Sequence, residues 1–153
     1  MKKVMFVCHG NICRSPAAEF LFRKMLEVNN LSYEYEVFSS ATSCEEEGNP
    51  VYPPIARLLS KDGISVKGKY ATPVSRSDYG RYDMFICMDS YNVRNLLRIF
   101  GDDPENKISK LMDYTPDGGD VRDPYYSGDF EGACSDIKRG LYALLEKLRQ
   151  QGE

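Results

Sequence analysis

The opening residues restrict the fold more than any other part of the chain. Lys3-Val4-Met5-Phe6-Val7-Cys8 runs almost without a polar break and stops at the turn signal Gly10-Asn11. A short continuous apolar run of this kind is expected of a strand buried on both faces. From Pro16 the spacing changes, and Ala18, Leu21, Phe22, Met25, Leu26 and Val28 fall on one helical stripe. A doubly buried strand that hands over to a helix is the start of a βαβ unit.

The rest of the chain repeats the alternation. Residues 33–38 alternate as a strand, Ile55, Leu58 and Leu59 are spaced helically, and Met84-Phe85-Ile86-Cys87-Met88 is another buried run. Helical spacing returns at Val93, Leu96, Leu97 and Phe100, and residues 107–112 make a fourth, weaker strand. Residues 113–129, with prolines and paired glycines among aspartates and tyrosines, read as a long loop, and loops of that length usually carry function. From Phe130 an amphipathic helix closes the chain through Ala133, Ile137, Leu141, Leu144, Leu145 and Leu148. Right-handed crossovers then predict an α/β fold: a doubly wound four-stranded parallel sheet with helices on both faces. With 153 residues, one domain over 1–153 is expected. Ligands of such sheets sit beyond the carboxyl ends of the strands, which is where the turn from Cys8 to Ser15 falls.

Charge and cysteine content narrow the chemistry. Twenty basic against 23 acidic residues give a net charge of -3, so there is no positive field to hold a nucleic acid. Only four apolar residues, Val4 to Val7, separate Lys3 from Cys8, too few for a secretory core or a membrane span, and a cytoplasmic location without membrane attachment is expected. Five cysteines, at 8, 13, 44, 87 and 134, include no Cys-x-x-Cys pair, and His9 is the only histidine. Neither a disulfide framework nor a zinc centre is suggested, and no metal or cofactor is expected.

Within the strand-to-helix turn, Cys8 and Arg14 stand six positions apart. That spacing alone carries little, since five cysteines and ten arginines would give it by chance about one time in three. Its context supplies the meaning. Gly10 and Asn11 can take φ > 0 in the turn, and Ser15-Pro16 is expected to open the helix as N-cap and first helical residue. A loop wound this way aims backbone N–H groups inward at a helix N-terminus, a nest for tetrahedral dianions such as phosphate. Arg14 would clamp two phosphate oxygens. The same amides and dipole favour a thiolate, so Cys8 is expected to ionise well below the ordinary thiol value of about 8.5 and to act as a nucleophile.

Val7-Cys8-x-Gly10-Asn11-Ile12-Cys13-Arg14-Ser15-Pro16-x-Ala18-Glu19 closely resembles the phosphate loop of low-molecular-weight protein tyrosine phosphatases. Asp123-Pro124-Tyr125-Tyr126, followed by Gly128 and Phe130-Glu131, is similar to that family's acid loop, and it lies in the long loop described above. Met88-Asp89-Ser90-x-Asn92 matches as well, so the resemblance covers essentially the whole chain. It implies hydrolysis of phosphotyrosine-containing proteins or small aryl phosphates through a cysteinyl-phosphate. Cys8, Arg14 and Asp123 would be catalytic, with His9, Gly10, Asn11, Ile12, Cys13 and Ser15 around the phosphate. A tyrosyl oxygen leaves badly as an anion because the phenol pKa is about 10, so Asp123 would protonate it. Tyr125 and Tyr126 would wall the cleft against an aromatic ring. Cys13, five residues after Cys8 in a curled loop, is the expected redox partner that traps a Cys8 sulfenic acid.

Three departures from the family pattern stand out. Ser39-Ser40-Ala41-Thr42 replaces Ser-Ala-Gly-Thr, and Glu45 stands where a bulky aromatic is usual, so a stacking wall of the cleft becomes an acidic rim with Glu46 and Glu47. Ala71-Thr72-Pro73 replaces Ala-Arg-Gln, and His9 occupies a loop position that is commonly apolar and is expected to face outward. Ser15 and Ser39 are candidates to hydrogen-bond the loop or the sulfur. Thioredoxin-coupled arsenate reductases resemble the same loop, but Cys87 and Cys134 do not supply their resolving pair. Protein arginine phosphatases typically carry Thr where this chain has Ile12 and lack the paired tyrosines. A phosphate-sensing module would need neither Cys8 nor Asp123. A monomer or weak self-association is expected.

Overall fold

A computed structural model describes residues 1–152. Four strands, β1 (Lys2–Cys8), β2 (Tyr35–Ala41), β3 (Met84–Cys87) and β4 (Ile108–Lys110), form one sheet in the order β2-β1-β3-β4. Every pairing is parallel. The helices are α1 (Arg14–Val28), α2 (Pro53–Lys61), α3 (Ser90–Phe100), the single turn α4 (Pro124–Ser127) and α5 (Phe130–Gly152). Short 3₁₀ turns occupy Arg76–Gly80 and Leu111–Tyr114.

The double burial read from the opening run is realised with period two. Val4, Phe6 and Cys8 enter the core beneath α1, α2 and α5, where Phe6 meets Phe22 edge-to-face at 5.8 Å. Met5 and Val7 enter the opposite core with Leu96 and Phe100 of α3. Each such side chain contributes about 1.5–3 kcal/mol on burial, which offsets the ordering of the strand. Because β2 lies on one side of β1 and β3 on the other, the chain reverses its winding at β1. The crevice beyond the carboxyl ends of β1 and β3 is therefore the expected ligand position.

Several local expectations are corrected. β2 starts later and runs further than residues 33–38, because Ser39, Ser40 and Ala41 pair in register with Phe6, Val7 and Cys8. Tyr33 and Val28 are exposed, the α1 stripe ending at the fully buried Leu26 before Asn30 turns left-handed (φ 58). Leu97 also faces outward. The fourth strand is cut to Ile108–Lys110 because the chain then coils to bury Leu111 and Met112. Leu111 fits against α5 where Gly140 has no side chain: a Cβ there would lie 2.6 Å from Leu111 Cγ. Among the described residues no helix is long and apolar enough to cross a membrane.

Candidate active site

The loop between β1 and α1 closes around the Cys8 sulfur. Asn11 N–H points at Cys8 Sγ from 3.3 Å, and Ser15 Oγ lies 2.9 Å from it. Asn11 alone supplies the left-handed turn, with φ 59. Gly10 does not adopt positive φ. Its missing side chain instead lets Glu46 lie over the loop, where a Cβ would be 3.3 Å from Glu46 Cγ. The expected cap is also corrected: α1 begins at Arg14 with Cys13 at the N-cap position and no side-chain cap, so Ser15 is free to face the sulfur. Asn11 fastens the turn by donating from Nδ2 to Ser15 Oγ (2.8 Å) and Ser39 Oγ (2.9 Å), while its Oδ1 accepts from Thr72 N–H. Burial, followed by the nearby Cys8 and Asp123, pushes the Cys13 thiol up to about 12.

Behind the loop lies a network that the sequence reading did not assign. Ser39 Oγ donates to the buried Glu19 carboxylate at 2.5 Å, and the other Glu19 oxygen accepts from Arg23 at 2.5 Å. Lys69 Nζ donates to Ser39 O and stands 3.5 Å from Glu19. The partners of Glu19 come from three places, Arg23 one turn along α1, Ser39 of β2 and Lys69 of the segment after α2. No short-range signal in the chain pairs Glu19 with Ser39, 20 positions away.

Arg14 is 3% exposed, and its guanidinium is held from two sides. Nη1 donates to Asp89 Oδ2 at 2.8 Å and to Val121 O at 3.2 Å, and Nη2 donates to Asp123 Oδ2 at 3.3 Å. Burial opposes the charge, but Cys8, Asp89 and Asp123 outweigh it and hold the guanidinium above its ordinary value. Asp89 also caps α3, accepting from Asn92 N–H at 2.8 Å. Asn92 Oδ1 in turn accepts from the N–H groups of Met88 and Asp89. Asp89 thus bridges the end of β3 to the arginine, a role hidden in sequence because the two stand 75 positions apart. Asp123 caps α4 through Oδ1 and Tyr125 N–H, leaving Oδ2 toward Arg14.

These groups line one cleft of about 760 Å³. Cys8 to Arg14 form its floor, and Asp89, Asp123, Glu45 and Glu46 also line it. Tyr125 and Tyr126 form an edge-to-face pair at 5.1 Å on the rim, 83% and 84% exposed, and Tyr91 of α3 adds an aromatic that the sequence reading left unassigned. His9 faces outward as expected, but it is not idle: its Nε2 is 3.0 Å from Glu45 Oε2. Among the described residues no group of three or more His, Cys, Asp or Glu side chains is placed to hold a metal ion.

A sulfur at the floor of an amide-lined loop, with a guanidinium and a carboxylate over it, is the arrangement of a thiol-based site for phosphoryl groups. A sequence profile of the low molecular weight phosphotyrosine protein phosphatases matches residues 3–153, and the chain belongs to this family. A low molecular weight protein-tyrosine-phosphatase of Bacillus subtilis, YfkJ, is 37% identical over 153 residues, covering 99% of this chain and 98% of the relative. The low molecular weight phosphotyrosine protein phosphatase of Rattus norvegicus is 38% identical over 151 residues, covering 95% of each. The crystal structure of YfkJ superposes with a TM-score of 0.95 at 37% identity, over 100% of this chain and 98% of that one.

Proposed function

We propose that this protein-tyrosine-phosphatase hydrolyses phosphotyrosine and small aryl phosphate monoesters in two displacements at Cys8, with residues 1–153 acting as one domain. The observation that carries the reading is the position of the Cys8 sulfur, 2.9 Å from Ser15 Oγ and 3.3 Å from Asn11 N, at the floor of the cleft that Arg14 and Asp123 share. The loop amides and Arg14 hold the phosphoryl oxygens. Cys8 attacks phosphorus, the S–P bond forms as the P–O bond breaks, and Asp123 gives its proton to the departing tyrosyl oxygen. The Asp123 carboxylate then takes a proton from water, whose oxygen attacks phosphorus. The S–P bond breaks, the thiolate returns and inorganic phosphate leaves.

Loop N–H groups and the Arg14 guanidinium facing the equatorial oxygens would stabilise the charge that spreads over them in the transition state. Asp89 fixes the Arg14 fork in the same sense. Tyr125 and Tyr126 flank the tyrosyl ring, and Cys13 is the redox partner of Cys8. Substrates are phosphotyrosine proteins met by a monomeric or weakly associating cytoplasmic enzyme with no nucleic-acid or membrane partner. Release of phosphate from phosphotyrosine in excess chelator tests the reading, with phosphoarginine and arsenate run beside it. Turnover of phosphotyrosine alone supports it, and preferred turnover of phosphoarginine or reduction of arsenate overturns it.

A further inference from the structure

Two positions at which the chain departs from its family's pattern, His9 and Glu45, are 36 residues apart in sequence and meet in space. Glu45 Oε2 lies 3.0 Å from His9 Nε2, with the two side chains 70% and 51% exposed at the mouth of the cleft. A carboxylate only accepts, so Nε2 carries the hydrogen. The pair rests on fixed backbone: His9 O accepts from Ser43 N–H at 3.1 Å and from Ser43 Oγ at 3.0 Å, and Cys8 O accepts from Thr42 N–H at 2.9 Å. Glu46 stands beside it over Gly10, its Oε2 accepting from Asn49 Nδ2 at 2.7 Å. The acidic segment is therefore tied to the phosphate loop.

We propose that the His9–Glu45 pair reads the charge of residues flanking a phosphotyrosine, its carboxylate favouring basic flanks while the His9 imidazole is neutral. This rests on the reading of the cleft as a phosphotyrosine site. With the imidazole neutral the pair carries one negative charge, and Glu46 adds to it. Once the imidazole binds a second proton the pair is an internal ion pair with no net charge, and a basic flank gains less. The other charged groups around the cleft are Arg14 with its partners Asp89 and Asp123, and the Cys8 sulfur. Both peptides place their phosphate against these, so their titration cancels in a ratio of the two.

The test is the ratio of kcat/KM for two phosphotyrosine peptides that differ only in carrying Lys or Gln flanks. It is measured at a series of pH values from about 5 to about 8, the range over which histidine side chains serve as switches. Wild type is expected to prefer the Lys peptide by about 1.5- to 5-fold at the higher pH and to lose most of that at the lower. Glu45→Gln should lose most of the preference at the higher pH, keeping only what Glu46 supplies, and should not regain it at the lower. His9→Gln keeps a neutral donor and should retain the preference at both. His9 is the only histidine, so its ring nitrogens in an NMR titration should change over the same pH interval as the ratio. A wild-type ratio that ignores pH, a pH response that survives in His9→Gln, or a basic preference undiminished in Glu45→Gln overturns the proposal. Free phosphotyrosine is assayed beside the peptides: no turnover of it by wild type overturns the phosphatase reading itself, and the proposal with it.

Discussion

Asp136, on α5, accepts three hydrogen bonds from Arg122: one from the backbone N–H (3.1 Å), one from Nε (2.9 Å) and one from Nη2 (3.1 Å). Arg122 immediately precedes Asp123, and its Nη1 donates further to Asp129 at 2.8 Å. The longest helix therefore holds the loop that presents Asp123. Asp136→Asn should let that loop drift and cost phosphotyrosine turnover roughly tenfold, the scale expected when a reacting group is misplaced by a fraction of an ångström. An activated aryl phosphate, which needs no protonation, should lose much less. Comparing kcat/KM for the two substrates checks it, and equal losses count against a positioning role.

The same contact sets a pH dependence of stability. Burial pushes the Asp136 carboxyl up, but the Arg122 hydrogen bonds and charge outweigh it and hold the carboxyl below the usual carboxylate range. A lowered folded value means the unfolded chain binds the proton more readily. The contribution is therefore full above the ordinary Asp value of about 3.9 and is lost as pH falls through the lowered one. Denaturant midpoints of wild type and Asp136→Asn should differ at neutral pH and converge in acid.

Asp89→Ala should strip the buried Arg14 of its shorter ion pair while leaving Asp123 as a partner. Breaking one side of a buried pair costs about 3 kcal/mol, so a lower Tm is expected. The freed guanidinium should also bind inorganic phosphate more weakly, read as a rise in its competitive inhibition constant. Loss of stability with unchanged phosphate binding would assign Asp89 to capping α3 alone.

Cys8→Ser should abolish turnover, because a serine hydroxyl is a far weaker nucleophile than a cysteine sulfur. Asp123→Ala should slow phosphotyrosine by roughly 10²- to 10⁴-fold and a low-pKa phenol ester far less. A leaving-group series in which the slope for Asp123→Ala matches that of wild type rules out Asp123 as the acid.

Peroxide should inactivate the enzyme reversibly. Cys8 sulfenic acid and the Cys13 thiol condense to a disulfide with loss of water, which dithiothreitol reduces, so Cys13→Ser should recover much less. Because the Cys13 thiol is pushed up to about 12, its thiolate fraction at neutral pH is small and grows about tenfold per pH unit. Once peroxide is removed, disulfide formation should accelerate accordingly between neutral and mildly alkaline pH.

What could be read from the chain alone follows local physics. The unbroken run from Val4 to Cys8 announced a strand packed on both faces, and the change of period at Pro16 announced α1, because burial and periodicity are properties of neighbouring residues. The closing of the loop around Cys8 was legible for the same reason: the sulfur, the turn residue Asn11, Ser15 and Arg14 stand within eight positions, and a backbone turn draws them together. Asp123 was legible through a second local motif, its Asp-Pro-Tyr-Tyr run. The groups that support these residues were not. Asp89 reaches Arg14 only because β3 lies beside β1, and Glu19 meets Ser39 only because β2 lies on the other side. Asp136 meets Arg122 only because α5 packs back across the sheet. His9 and Glu45 each read as an isolated departure until the segment after β2 folded over the loop. Side-chain chemistry and short-range spacing are carried by the chain itself, whereas ion pairs between distant residues depend on strand order and helix packing, which the burial of apolar surface decides over the whole molecule.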